Sequence, residues 1–251
     1  MTDNPYSSEQ FEPPPIQPNG WAKSVLYKLC GFGVVVLALA FLLIPARRNA
    51  RPAAYRMQCM NNMKQIGLAL LSYEEQYQTF PPAFTTSADG QRLHSWRTLI
   101  LPFMEHSELY AKIDLTQPWN ADVNRSARET YIDSYSCPSS SVSAGLTTYF
   151  AIVGPNAALL PQGGRRTNQI TDGPENTCLI YDGPAAVASH WMQPIDPELP
   201  LDLRQLGRLS HAGGLPVLMA DGAGHFLGIE TSPETVAGLK TVDGGEIFEL
   251  P

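Results

Sequence analysis

Between Leu29 and Ile44 the chain reads LCGFGVVVLALAFLLI, sixteen residues without a charge. A chain that crosses a bilayer must satisfy its own backbone hydrogen bonds, and a helix of about 20 apolar residues does so. Val25 to Tyr27 extend the run beyond Lys28 to that length, so residues 23–45 read as a transmembrane helix. A cleaved signal peptide is the rival, because a short apolar run behind a basic residue is its hallmark. Against it, the run is followed by IPARRNARP, where Pro45 and three arginines stand in place of a small-x-small cleavage site.

The rest of the chain divides around that segment. Residues 1–22, rich in proline and polar side chains, cannot bury a core and read as a disordered tail. With 17 basic and 24 acidic residues the net charge is −7, which opposes the phosphate-driven attraction that nucleic-acid binding requires. Nucleic acid is therefore excluded as an expected partner, and the bilayer is included. Lys23 and Lys28 precede the apolar run while Arg47, Arg48, Arg51 and Arg56 follow it, so the positive-inside rule taken alone places the main domain in the cytoplasm.

After Pro52 the residues Met57, Met60, Met63, Ile66, Leu70, Tyr73 and Tyr77 recur every three or four positions, one sticky face of an amphipathic helix within residues 46–80. The Phe-Pro-Pro of TFPPAF ends it, because two successive prolines cannot continue a helix. Residues 81–251 form the body of the protein. Short apolar runs there, WRTLILPFM, TTYFAIVG, NTCLIY, LPVLMA and GHFLGI, lie between Gly, Pro, Asp and Ser clusters and read as antiparallel strands. FMEHSELYAKID holds a helical turn, and SPETVAGLK starts a helix with Ser232 as N-cap and Pro233 at the first position. The fold class is α+β.

Within SHAGGLPVLMADGAGHFLG the pair Asp221-Gly222 signals a two-residue hairpin. Counting outward pairs Met219 with Gly224, Leu218 with His225 and Val217 with Phe226, which puts Val217, Met219 and Phe226 on one face and His225 on the other. His211 then lies seven residues before the partner of His225, roughly 23 Å away in extended chain, too far for a shared metal unless Gly213-Gly214 bends it back. No metal ligands, cofactor or catalytic residues are assigned on this reading. The cysteines Cys30, Cys59, Cys137 and Cys178 form no CxxC pair, and neither GxSxG nor HExxH occurs. Ser139, Ser140 and Ser141 read as a loop after proline, Asp172-Gly173 as a turn, and His94, His106 and His190 as structural or surface histidines. A calcium site from Asp172, Asp182 and Asp221 lacks an EF-hand-like loop.

His211, nine intervening residues and Asp221-Gly222 resemble the H-x9-D-G signature of a prepilin-like family found mainly in planctomycetal bacteria, the domain of unknown function 1559. RMQCMNNMKQIGLALLSYEEQYQTFPP, from Arg56 to Pro82, resembles its N-terminal motif, in which Cys-x-Asn-Asn opens the amphipathic helix and Phe-Pro-Pro closes it. SWRTLILPFMEHSELY, PWNADVN, YSCPSS, QITDGPENTCLIYD and TVDGGEIFEL resemble its later blocks in order, so the likeness covers about residues 45–251.

The resemblance implies a pilin-like build, a long N-terminal helix packed on an antiparallel sheet outside the cytoplasm, and no established activity. It also implies a disulfide between Cys59 and Cys137, with Cys178 in a buried strand and Cys30 in the membrane. Family members begin the membrane helix with Gly-Phe-Thr-Leu-x-Glu, where a peptidase cuts after the glycine. Here Lys23, Ser24 and Lys28 take the places of the Gly, Phe and Glu, and the alternative Gly31-Phe32 has Val36 in place of the acid. An uncleaved anchor is expected rather than a fibre subunit. The resulting expectation is a single-pass inner-membrane protein, its main domain extracytoplasmic, that binds envelope or secretion-system proteins and is not an enzyme. A membrane-tethered metal-dependent hydrolase and a solute-binding receptor are the alternatives.

Overall fold

A computed structural model describes residues 20–245. Of the N-terminal tail, residues 1–19 lie outside the described residues, as does the end of the TVDGGEIFEL block. The chain forms two compact units, residues 1–50 and 51–251.

Helix α1 runs from Gly20 to Tyr77 and contributes to both units. No break separates its apolar and amphipathic parts at Pro45 or Pro52, where the sequence suggested a boundary. In the first unit the window Lys23–Ala40 has a mean hydropathy of 1.7, and none of it is buried. Trp21, Leu26, Tyr27, Leu29, Phe32, Val34 and Leu37 are each at least 60% exposed, a surface that water does not tolerate on a stable soluble helix. Cys30 sits on this exposed part.

In the second unit the helix turns one stripe inward: Cys59, Asn62, Met63, Ile66, Gly67, Ala69 and Leu70. Of the face read in the sequence, Met63, Ile66 and Leu70 lie in this stripe and Met60 and Tyr73 are half-buried, while Met57 and Tyr77 at its two ends are exposed at 69% and 54%. Gln78 adopts the left-handed conformation just after the helix (φ 62°), and Pro81-Pro82 prevent its resumption.

The stripe packs on a four-stranded antiparallel sheet in the order β4-β5-β7-β8, formed by Tyr149–Ala151, Cys178–Asp182, Gly214–Met219 and Gly224–Gly228. Two small antiparallel pairs flank it, β1 (Phe84–Thr86) with β2 (Arg92–Ser95) and β3 (Leu146–Thr147) with β6 (Ser189–His190). Short helices α2 (Trp96–Leu99), α3 (Ser107–Tyr110) and α4 (Arg125–Arg128) and helix α5 (Pro233–Leu239) complete the α+β fold. WRTLILPFM is thus helical rather than extended. Ser95 accepts from the Arg97 amide and starts a turn that the local apolar run alone does not reveal. Ser232 caps α5 as the sequence indicated, accepting from the Thr235 amide.

Tyr149, Ala151, Ile180 and Leu218 join the core beneath α1, whereas Phe150, Tyr181, Val217 and Met219 belong to a second core with Leu203, Leu215, Val236 and Leu239. A register irregularity between Cys178 and Ile180 lets Cys178, opposite Met219, enter the second core while Leu179 enters the first.

The β7–β8 hairpin differs from the sequence reading by one residue. Leu218 faces Gly224, Val217 faces His225 and Pro216 faces Phe226. The loop has three residues, Ala220, Asp221 and Gly222. The Gly222 amide donates to the Met219 carbonyl and the Met219 amide to the Ala223 carbonyl, with Gly222 at φ 85°. This is a type I turn followed by a left-handed glycine, which Asp-Gly supports as readily as the tighter turn. A one-residue slip exchanges the faces. His225 therefore shares a face with Val217, and Phe226 lies toward α1, where the Arg56 guanidinium sits 4.2 Å above its ring. Gly67 lets the helix approach this hairpin, because a Cβ there would stand 2.9 Å from Leu218 Cδ1.

Arg97 and Asp196 form an enclosed ion pair. Arg97, fully buried, donates from Nε and Nη2 to the Tyr149 carbonyl and from Nη2 to Asp196 Oδ1 at 2.7 Å. Asp196 Oδ1 also accepts from the Trp96 indole and from the Ala151 amide on edge strand β4.

Two stability predictions follow from these contacts, both read by chemical denaturation of the 51–251 unit. Gly222→Ala should cost about 1–2 kcal/mol through the left-handed turn position. Asp196→Ala should cost about 3–5 kcal/mol, because it leaves a buried guanidinium without its counter-ion.

Candidate metal centre

Four side chains from four parts of the chain converge between α1 and the sheet. Cys59 comes from the inner stripe of α1, and Asp182 ends β5 opposite Tyr149 of β4. Cys137 follows a 3-10 turn at Asp133–Tyr135, and His211 precedes β7, forming a single bridge with Gly214. All four are buried, and their Sγ, Oδ and imidazole nitrogen atoms lie within 4.8 Å of one another.

Helix α1 holds the loops that supply two of them. Asn62, one turn beyond Cys59, donates from Nδ2 to the carbonyls of Asp133 (3.3 Å) and Ser136 (2.9 Å), fixing the segment that ends in Cys137. Arg56, one turn before, donates to the Ala212 carbonyl at 3.2 Å, beside His211. The i, i+3 spacing of Arg56, Cys59 and Asn62 places all three on one helical face. This gives the Cys-x-Asn-Asn segment a physical role: its cysteine reaches the centre and its second asparagine secures the partner cysteine.

Within the centre, Cys59 Sγ is 3.0 Å from the Tyr149 hydroxyl and donates to Asp182 Oδ2 at 3.4 Å. His211 Nε2 lies 3.2 Å from Asp182 Oδ2 and 3.4 Å from Cys137 Sγ. An outer layer completes these contacts: Thr148 donates to Asp182 Oδ1 at 2.5 Å, and Ser139 Oγ is 3.3 Å from His211 Nδ1.

The environment drives the ionisable groups apart. Burial pushes the Cys59 thiol far above its ordinary range, while the hydrogen bond with Cys59 holds the Cys137 thiol below it. Burial works against the His211 cation, yet its hydrogen bonds to Asp182 and Cys137 prevail and raise it to about 9. Burial, reinforced by the acidic neighbours, moves Tyr149 well above the usual phenol range.

The residues singled out in the sequence fare differently. His211 and Asp221-Gly222 of the H-x9-D-G pattern stand at opposite ends of β7, so their separation is set by one strand and its turn. His211 enters the centre. Asp221 is exposed and accepts from the Ala223 amide at 2.7 Å, shaping the turn. His225, on β8, is not among the four converging residues. Cys59 and Cys137, which the resemblance pairs, are brought together as free thiols whose sulfurs face Asp182, Tyr149 and His211. Cys178 is buried in β5.

Of the three aspartates weighed for calcium, only Asp182 reaches the centre. Asp172 accepts from the Gly244 and Gly245 amides instead. Ser139 touches His211, which its loop setting did not foretell, and Ser139, Ser140 and Ser141 border a cavity of about 170 Å3 with Arg208 and Ser210. His106 is half-buried beside a separate cavity of about 460 Å3, lined also by Gln65, Leu68 and Phe103. The pairing of His211 with Cys59, Cys137 and Asp182 was not legible, because it is made only by the packing of α1 on the sheet.

An α+β domain with one apolar N-terminal helix and a buried Cys, Cys, His, Asp centre is the class the geometry defines. Residues 48–159 match the family model SBP_bac_10, a protein of unknown function (DUF1559). No curated protein and no solved structure matches the chain. Cys59 and Cys137 fall inside the matched segment, and Asp182 and His211 beyond it.

His94 and His190 lie elsewhere. His94 Nε2 meets the carbonyls of Asp114 and Gln117, and His190 stacks on Trp119 with ring centroids 5.2 Å apart. Burial lowers both imidazoles, His190 to about 4. Their folded values lie below the unfolded value of about 6.5, so as pH falls through that value the unfolded chain takes up protons that the fold refuses. Stability should decline from pH 6.5 towards 4, and His190→Gln should flatten that decline in urea titrations at several pH values.

Proposed function

We propose that the protein is a single-pass inner-membrane protein of the cell envelope, with residues 51–251 outside the cytoplasm, acting by binding rather than by catalysis. The observation that carries this reading is the contrast along α1. Its window Lys23–Ala40 is apolar and entirely unburied, whereas from Cys59 onward one face is sealed into a core. Lipid is the environment that matches the first, and a folded domain has already claimed the second.

The pilin-like arrangement of a long helix against an antiparallel sheet supports a role beside pilus or secretion components. Lys28, where the family motif has its acid, argues for a retained anchor rather than a fibre subunit, because an unpaired cation is costly inside an apolar assembly. The partners on this reading are the bilayer and envelope or secretion-machinery proteins.

A second reading rests on Ser139. Its hydroxyl, the His211 ring and the Asp182 carboxylate lie in sequence at 3.3 and 3.2 Å beside the small cavity, the residue types of a serine hydrolase, with the hydroxyl on Nδ1 and the carboxylate on Nε2, the reverse of the usual attachment. Labelling of the wild type by a fluorophosphonate probe, absent in Ser139→Ala, would favour it over the binding role.

The membrane reading predicts that the full chain stays with membranes after carbonate extraction and that a C-terminal alkaline phosphatase fusion is active. Release by carbonate would contradict the anchor, and an inactive but stable fusion would contradict the orientation.

A further inference from the structure

We propose that Cys59, Cys137, Asp182 and His211 bind one zinc ion as a closed, structural, tetrahedral site. The proposal holds on either side of the membrane and does not rest on the binding role.

The donor set comes first. Two sulfurs, one imidazole nitrogen and one carboxylate oxygen are a combination suited to zinc, which takes four ligands without a preference imposed by d electrons. The spacing follows. With bonds of about 2.3 Å to sulfur and about 2.0 Å to nitrogen and oxygen, a tetrahedron separates sulfur from nitrogen or oxygen by about 3.5 Å and nitrogen from oxygen by about 3.3 Å. The corresponding separations are 3.4 Å for Cys137 Sγ to His211 Nε2, 3.4 Å for Cys59 Sγ to Asp182 Oδ2 and 3.2 Å for His211 Nε2 to Asp182 Oδ2. Three of the six edges thus match those of a tetrahedron around one ion, and the other three lie within 4.8 Å.

The surroundings match those of metal ligands. His211 turns Nε2 into the centre and Nδ1 toward Ser139 Oγ, so a Nδ1–H donated to the hydroxyl leaves the Nε2 lone pair for the metal. Thr148 donates to the outer oxygen of Asp182, and the Tyr149 hydroxyl lies 3.0 Å from Cys59 Sγ, where it can donate once that sulfur is a thiolate. On binding, both thiols and the His211 imidazolium lose their protons to solvent. Zn2+, two thiolates, one carboxylate and a neutral imidazole then sum to a charge of −1, which the outer hydroxyl donors offset.

A cation also changes the electrostatics of the centre. The Asp182 side chain is fully enclosed, and its near neighbours are two thiols, a phenol, a hydroxyl and one imidazole; the buried Arg97 is committed to Asp196. Without a metal, the positive partner of this buried carboxylate is His211 in its protonated form, 3.2 Å away; a divalent ion takes over that role and leaves the imidazole neutral, as a ligand must be. With four protein ligands no position remains for substrate, so the ion would tie α1, the Cys137 loop, β5 and the approach to β7 together.

The test uses the full chain in detergent, purified without chelator. Elemental analysis should find one zinc per chain, and denaturation in the presence of a chelator should release both Cys59 and Cys137 as thiols. Cobalt substituted for zinc should show thiolate-to-cobalt charge transfer and the strong visible bands of a tetrahedral ion. His211→Gln and Asp182→Asn should each weaken zinc binding at least ten-fold. Should the ligand variants fail to fold, the cobalt spectrum of the wild type still decides. A Cys59–Cys137 disulfide in metal-free native protein, cobalt bound without thiolate bands, or undiminished zinc in folded His211→Gln and Asp182→Asn variants would each overturn the proposal.

Discussion

The seating of one face of α1 on the four-stranded sheet is the constraint from which the rest of the domain follows. Gly67 permits the close approach to Leu218 and the β7–β8 turn, and Met63, Ile66 and Leu70 fill the space beneath. Once that contact forms, Arg56 and Asn62 have no choice but to meet the loops bearing His211 and Cys137. Apolar burial of roughly 1.5–3 kcal/mol per large side chain supplies the stabilisation that lets polar groups be enclosed in the same contact. The centre is a consequence of packing rather than an addition to it.

This arrangement explains why a helix can be apolar for two different reasons along one length. Its first part has nothing folded against it among the described residues, and its second part is sealed by the sheet. An all-round apolar surface belongs in lipid, whereas a single stripe belongs against a core. Among the described residues, α1 is apolar and unburied over Lys23–Ala40 and buries side chains from Cys59 onward.

Much of the architecture was legible from residues 23–80 and from the strand-like runs, because apolar period and proline placement are local signals. Ser232 and Pro233 announced α5 for the same reason. The hairpin was legible but its register was not. Asp-Gly fits both a two-residue loop and a three-residue loop with a left-handed glycine, and only the match of β8 to the two cores selects between them. The helix at WRTLILPFM escaped because the cap at Ser95 and the buried Arg97 override its strand-like composition. The centre was least legible of all. Its members run from residue 59 to residue 211 with no ligand spacing between neighbours, and only the packing of α1 on the sheet brings them together.

X-ray absorption at the zinc edge of the purified full chain tests the account most directly, because it reads the number and kind of atoms that the helix-on-sheet contact brings together. The predicted result is a shell of two sulfurs at about 2.3 Å and two lighter atoms at about 2.0–2.1 Å. A shell of light atoms only, or an absence of zinc in protein whose Cys59 and Cys137 sulfurs are bonded to each other, would contradict it.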